Sequence, residues 1–255
     1  MKVISFINQK GGAGKTTTAI NTAAALVRFH GKKVLLIDVD PQGNATTSAG
    51  FAAEECAAVP TVYEVLKGDA DVNDTIRATA AGFDLLPTDI RQSGAEIELS
   101  SAAGRDFLLR EAIDEIKKTY DYVLIDCPPS LSVITLMALT ASNSVIIPVS
   151  QFLSLNGTRQ LLDTIGIVKK RMNPNIDICG VVATVFDGRK NLDRDVLESI
   201  RDAFGEKVFQ TKIRNNVSLA EAPAFGQDVF SYKPESAGAA DYKALTDEII
   251  KRTEV

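Results

Sequence analysis

The stretch "VISFIN", residues 3–8, runs without a break into "QKGGAGKTT" and then into a segment with helical patterning. No other feature of the chain constrains its fold as tightly. The strand has to end where glycines 11, 12 and 14 begin, because residues without a Cβ let consecutive backbone N–H groups converge on one point. A helix has to start immediately afterwards, so that its free N-terminal amides and its dipole face that same point. Strand, glycine-rich turn and helix in this order make a phosphate-binding loop. Gly11, Gly12, Ala13, Gly14, Lys15, Thr16 and Thr17 are its expected phosphate contacts. The Lys15 ammonium is expected to reach the terminal phosphates, and the Thr16 hydroxyl to join a magnesium shell.

The rest of the chain suits such a start. "KVLLID" (33–38), "FDLLP" (83–87), "YVLIDCP" (122–128), "SVIIPVS" (144–150) and "ICGVVATVF" (178–186) are continuous apolar runs, the pattern of strands buried on both faces. Helical periodicity lies between them. Ile20, Ala24 and Val27 share a face within 16–28. Leu109, Ala112, Ile113 and Ile116 do so within 105–119, Leu161, Ile165 and Val168 within 157–171, and Tyr242, Leu245 and Ile249 within 238–252. Strands alternating with helices predict one α/β domain over 1–255, a doubly wound, mostly parallel sheet with helices on both faces. The stretch 45–82, rich in alanine and acidic residues, is expected to form surface helices and loops.

Composition removes several classes of function. With one histidine in 255 residues, His30 at an expected helix end before Gly31, histidine acid–base chemistry is excluded. Cys56, Cys127 and Cys179 are scattered and lack CxxC spacing, which argues against a zinc site or disulfide framework and for a reducing cytoplasm. A strand beginning at Lys2 leaves no room for a signal peptide, and no apolar run is long enough to span a bilayer. The net charge of −5 argues against a chain that coats nucleic acid with its whole surface and leaves room for a local basic patch.

Two strands end in aspartate. "VLLIDVDPQGNAT" supplies Asp38 and Asp40, and "YVLIDCPPSLS" supplies Asp126. Carboxylates at strand C-termini beside a phosphate loop are where magnesium-bound water needs oxygen partners, so Asp38 and Asp126 are read with Thr16 as the metal set. Asp40, two residues past its strand, is read as orienting the attacking water. Phosphoryl transfer depends on positioning and charge more than on a strong base.

The strict phosphate-loop pattern has a glycine at position 9, where this chain has Gln9. "KGGAGKTT" instead resembles the deviant phosphate loop of ATPases that position DNA, division sites and other cargo. That class also includes the iron protein of nitrogenase and the anion-pump ATPases. The extra lysine is the signature of the class. The resemblance implies that Lys10 reaches across a two-fold axis to the nucleotide of a second copy, gluing an ATP-bound homodimer and offsetting transition-state charge. "DVDPQGNAT", "DCPPSLSVITLMAL" and "LAEAPAFGQDV" extend the likeness over nearly the whole chain, to partitioning ATPases of the ParA/Soj type in their short form, without an N-terminal helix-turn-helix domain. The resemblance implies ATP and Mg²⁺ as cofactors, nonspecific binding of duplex DNA by the ATP dimer, and hydrolysis triggered by a ParB-like protein. It also implies a cytoplasmic, nucleoid-associated location.

Within the class, division-site selectors end in a basic amphipathic helix that inserts into lipid. Here "ALTDEIIKRTEV" is short and mixed in charge, with apolar positions suited to packing, so membrane insertion is not expected. An iron–sulfur redox role lacks suitably placed cysteines. Positioning of another cargo, such as a chemoreceptor cluster, a carboxysome or a division site, and an ATP-dependent metabolic reaction stay open. For the DNA surface the resemblance points to Arg189 and Lys190 of "FDGRKN" and to "KIRNNVSLAEAP". In the second segment Ser218 and Asn215 stand where the family usually has arginine, so Lys212 and Arg214 are read as carrying the charge. Asn216 is the expected adenine contact, with Arg214 in the place of the family's usual proline.

Overall fold

Strands that are apolar on both sides need cover on both faces. In the computed structural model, which describes residues 1–52, 56, 59–99, 102–150 and 155–254, seven strands form one sheet. They are β1 (Lys2–Phe6), β2 (Val34–Asp38), β3 (Arg77–Ala78), β4 (Asp84–Leu86), β5 (Tyr122–Asp126), β6 (Ser144–Val149) and β7 (Asp177–Ala183). Their spatial order is β3-β4-β2-β5-β1-β6-β7, parallel except for the two-residue β3, which pairs antiparallel with β4 at the edge. The connecting helices are α1 (Lys15–His30), α2 (Asn44–Ser48), α3 (Val62–Lys67), α4 (Val72–Thr75), α5 (Gln92–Glu98) and α6 (Leu108–Asp114). Next come α7 (Val133–Ala141), α8 (Leu155–Arg171), α9 (Asn191–Phe204), α10 (Val217–Glu221), α11 (Val229–Tyr232) and α12 (Ala237–Thr253).

Alternate residues of each strand face opposite layers. Ile4, Phe6, Leu36, Tyr122 and Leu124 pack against α1 and α12, where Ala19, Ala23 and Leu26 meet Tyr242, Leu245 and Ile249. On the other face Val3, Leu35, Ile37, Val123 and Ile125 pack against Val62, Val65, Leu109, Ile113 and Ile134. Under β6 and β7, Val145, Ile147 and Val181 meet Leu161, Ile165 and Val168 of α8 and Leu197 and Ile200 of α9. Each buried aliphatic side chain contributes about 1.5–3 kcal/mol on removal from water, so this double cover supplies the main stabilising term. The apolar face of α12 is spent in that core. Among the described residues no helix is long and apolar enough to cross a membrane.

Two local expectations need correction. The stretch 45–82 is more than surface. Val62, Val65, Leu66 and Val72 are buried and belong to the core, and Arg77–Ala78 is an edge strand. Helices of four to six residues are too short to display a 3.6-residue period, which is why the pattern was weak there. Residues 53–55, 57 and 58 of that stretch lie outside the described ones. The helix expected over 105–119 is a 3₁₀ turn (Arg105–Phe107) followed by α6, which stops at Asp114. Asn73 ends it: its amide donates to the Glu115 carbonyl (3.1 Å) and accepts from the Lys117 N–H (2.8 Å), replacing the next helical turn.

Register decides where the chemistry gathers. Phe6 sits opposite Asp126, and Asp126 opposite Asp38, so the C-terminal ends of β1, β5 and β2 lie side by side. The phosphate loop leaves β1 at that edge. Ligand sites of open parallel sheets lie there, outside the carboxyl ends of the strands.

Candidate functional site: a phosphate loop over two buried aspartates

The loop from Asn8 to Lys15 is held by side chains that bond its carbonyls. Ser150 Oγ donates to Gly12 O (3.1 Å), Thr184 Oγ1 to Ala13 O (2.8 Å) and Thr18 Oγ1 to Gly14 O (2.6 Å). Asn8 fastens the entry, donating to Pro148 O (2.7 Å) and accepting from the Lys10 N–H (3.0 Å). With three successive carbonyls drawn into the protein, the intervening N–H groups face the other way, toward an open cavity of about 500 Å³. Gly12 and Gly14 adopt φ of 72° and 80°, left-handed values that a Cβ would strain. None of these fastening side chains stood out in the sequence. The available signal was a hydroxyl or amide at the end of an apolar strand: Asn8 after "VISFI", Ser150 after "SVIIPV", Thr184 after "ICGVVA".

Below the loop lies a carboxylate pair. Thr16 Oγ1 donates to Asp126 Oδ2 (2.7 Å), while Asp126 Oδ1 is buried and has no hydrogen-bond partner among the described residues. Lys15 is 6% exposed and its charge acts to hold the Asp126 pKa down, but burial and the charge of Asp38 outweigh it and push that carboxyl well above the usual range. Asp38 is pushed up to about 7, chiefly by burial, against the pull of its hydrogen bonds. Burial, together with Asp126 next to it, likewise raises the Cys127 thiol. Two carboxyls held apart from water, one with an oxygen unpaired among the described residues, form a site short of positive charge.

The oxygens of Asp38 accept from the loop that follows it. Its Oδ1 accepts from the Asp40 N–H (3.1 Å), and its Oδ2 accepts from both the N–H and the hydroxyl of Thr46 (2.8 Å each). Thr46 Oγ1 also accepts from the Thr88 N–H (3.1 Å), so Asp38 fastens the loop 40–46 to the sheet and to the next connection. Asp40 Oδ1 accepts from Gln42 N (3.0 Å), and Asp40 lines the cavity. Among the described residues no group of three or more His, Cys, Asp or Glu side chains is arranged to hold a metal. A cation here needs oxygens from a hydroxyl and from a phosphate ligand, the donor set of a nucleotide-bound magnesium.

Of the residues expected to contact adenine or DNA, Arg214 and Asn216 line the cavity, together with Asn215, Asp40 and Gln42. Asn216 caps α10, its side chain accepting from the Ser218 N–H (2.9 Å). Arg214 is exposed and folds back onto α12: its guanidinium donates to both oxygens of Asp241 (2.7–3.1 Å), and its backbone N–H donates to Oδ2 (2.9 Å). It clamps α12, so a DNA phosphate would share its guanidinium with Asp241. Arg189 is 90% exposed and pairs with Asp187 (2.9 and 2.8 Å). That pairing lowers the Asp187 carboxyl to about 2. Lys190 caps α9, and the Lys212 ammonium sits 5.5 Å from the centre of the Phe186 ring. Phe186 bridges to Arg214, which draws the two basic segments together. Lys10 is exposed on the outer flank of the loop.

A profile of the AAA domain family matches residues 1–178. The chain is 46% identical over 253 residues to the sporulation initiation inhibitor protein Soj of Bacillus subtilis, covering 97% of this chain and 98% of that one. It is 44% identical over 256 residues to the chromosome partitioning protein ParA of Caulobacter vibrioides, covering 99% and 95%. The chain belongs to the ParA/Soj family of P-loop ATPases. As a ParA/Soj member it also has enzymes among its structural neighbours. Cobyrinic acid a,c-diamide synthase from Mycobacterium smegmatis, with bound ATP analogue and magnesium, superposes with a TM-score of 0.88 at 35% identity, covering 100% of this chain and 96% of that one. The doubly wound sheet is shared with that neighbour, and the hydroxyl fastenings show how this ParA/Soj chain holds its phosphate loop.

Proposed function

We propose that this protein is an ATP hydrolase whose nucleotide-dependent dimerisation drives the partitioning of chromosome or plasmid DNA in the cytoplasm. One observation carries the reading. Beneath a phosphate loop, a threonine hydroxyl is paired to a buried carboxylate whose second oxygen has no partner among the described residues, beside a cavity sized for a nucleotide. The unpaired Asp126 oxygen and the want of positive charge fit magnesium, which when bound neutralises phosphate charge. Thr16 would supply its hydroxyl, and Asp126 would accept from the surrounding water. Asp38 serves the same shell indirectly, keeping the loop 40–46 in place. Lys15 binds the terminal phosphates from within the loop. Asp40, tethered through Asp38 and facing the cavity, orients the water that attacks. Asn216 positions the adenine side of the pocket. Lys10, exposed on the flank, lends its charge to the nucleotide of a second copy and makes the ATP state dimeric.

In this reading the ATP dimer binds duplex DNA without sequence preference through Arg189, Lys190 and Lys212, and a ParB-like protein stimulates a slow intrinsic hydrolysis. The nearness of the two basic segments supports it: Phe186 bridges to Arg214 and carries the Lys212 ammonium over its ring, and Arg189 and Lys190 are exposed a few residues beyond it, as phosphate contacts require. The test is duplex binding measured with ATP, with ADP and without nucleotide, over a salt series. ATP-dependent binding that weakens with salt is the expected result, and no binding in any state overturns it. A second reading, ATP-dependent amidation of a carboxylic acid, draws on the likeness to the cobyrinic acid synthase. It predicts phosphate release stimulated by an acid substrate and ammonia rather than by DNA and a ParB-like protein. The Lys10→Ala variant sharpens the dimer claim: it should bind ATP and stay monomeric in light scattering with a slowly hydrolysed analogue.

A further inference from the structure

Among the described residues, Val185 is the one non-glycine with a positive φ, at 53°. A β-branched side chain in the left-handed region is strained, and such strain persists only where flanking contacts over-determine it. They do so here. On one side Thr184 is tied twice, its N–H to Val149 O (2.8 Å) and its hydroxyl to Ala13 O of the phosphate loop (2.8 Å). Thr184 also lies against Gly14, whose missing Cβ would sit 3.5 Å from it. On the other side Phe186 donates to Ile213 O (2.9 Å) and accepts from the Asn215 N–H (3.1 Å). Directly beyond comes the basic loop. The Asp187 N–H donates to Asp193 (2.7 Å), and the Asp187 carboxylate holds Arg189.

The geometry points to Val185 as the strained joint that transmits the state of the phosphate loop to the Asp187–Lys190 loop. It is a positioning residue for anion binding, and the inference rests on the proposed nucleotide-dependent contact with duplex DNA. The phosphate loop cannot shift Ala13 or Gly14 without moving Thr184. Thr184 turns while Phe186 stays paired to Ile213 and Asn215 only if the backbone torsions between them change, and the strained one among them is the Val185 φ. At Val185 that torsion has two distinct wells, the strained left-handed one observed and the ordinary one at negative φ, which directs the following chain elsewhere and breaks the Phe186 pairing. A two-state element biased by contacts at both ends is the physical requirement for coupling two sites.

The test compares wild type with Val185→Gly, which removes the strain from the left-handed well, and Thr184→Val, which removes the hydroxyl link to Ala13. Amide exchange over 186–190 is followed without nucleotide, with ADP and with a slowly hydrolysed ATP analogue, alongside duplex binding. In wild type, exchange at 186–190 should differ about threefold or more between the ADP and ATP-analogue states, and both variants should bring that ratio close to one. A wild type without nucleotide-dependent exchange there, or variants that retain the full ratio, overturns the inference. Duplex binding separates its failure from that of the DNA reading. If wild type ignores DNA while exchange still responds and Val185→Gly abolishes the response, the joint stands and the DNA surface falls. If DNA binding follows ATP equally in wild type and Val185→Gly, the joint falls and the DNA surface stands. The melting order is a check free of any ligand. Val185→Gly should melt at or above Val185→Ala, because glycine alone is at ease with positive φ. The reverse order removes the strain on which the inference is built.

Discussion

The floor of the cavity and its rim are built on opposite principles. On the floor Lys15, Asp38 and Asp126 are buried, and both carboxyls are forced away from their ordinary ionisation, Asp38 chiefly by desolvation and Asp126 by desolvation and the charge of Asp38. On the rim Arg214 folds back onto Asp241, and in the loop beyond it Arg189 stands in solvent and satisfies itself with the acid two residues away. The floor therefore holds carboxyls that ionise fully only when a ligand brings a cation, whereas these two arginines are paired without one. Binding at the floor should be decisive and sensitive to single atoms. Binding at the rim should be weak, additive and governed by salt.

The widest break in this comparison comes at Lys15. Lys15→Ala should remove nucleotide binding, with a loss of about 100-fold or more in affinity by titration calorimetry, since one charge is withdrawn from phosphates in a site of low dielectric. Tight ATP binding by that variant would erase the distinction between floor and rim.

A smaller effect is expected from pH in protein free of nucleotide and magnesium. The folded state holds on to a proton at Asp38 up to about pH 7, whereas the unfolded chain releases it near the ordinary carboxylate value. More protons are bound folded than unfolded in that window, so this group's contribution to stability falls as pH rises from about 4 to about 7. Asp38→Asn should flatten the slope of Tm against pH over that interval by several degrees, on the order of 5 °C. An unchanged slope would mean that the carboxylate pair is not charge-starved.

The rim should give the smallest and most divided response. Arg189→Ala should leave Tm nearly unchanged and reduce the salt slope of DNA binding by about one counterion. Arg214→Ala should do the reverse. It should lower stability by about 1 kcal/mol, since the ion pair is half-exposed on the arginine side, and leave the salt slope alone. If Arg214→Ala instead shifts the slope, its pairing with Asp241 opens on DNA and the rim is less balanced than described.

The same division separates what could be read in the sequence from what could not. The floor was legible because its parts are local. A continuous apolar strand, three glycines and a lysine–threonine pair fit within residues 3–17, and each aspartate ends its own apolar run. What escaped depends on partners far along the chain. The spacing "DVDPQGNAT" marks Asp38 but cannot reveal that Thr46 and Asp40 fill its oxygens. The charge at Arg214 is plain, whereas its capture by Asp241, 27 residues later, is a tertiary event. The early end of α6 has the same character, since the cap comes from Asn73, 42 residues before Glu115. Ser150 and Thr184, which hold the loop carbonyls, are 138 and 171 residues away from them.

The strand order has one more implication, for when the pocket first exists. β1 lies between β5 and β6, and β5 lies between β1 and β2, so Thr16, Asp38 and Asp126 converge only after segments over a hundred residues apart have aligned. Long loops must close before the first of those alignments yields anything, which makes this assembly a late event on the folding route. Nucleotide then has nothing to grip while the chain is still collapsing. It should act as a brake on unfolding, prolonging the lifetime of the finished molecule without hastening its birth.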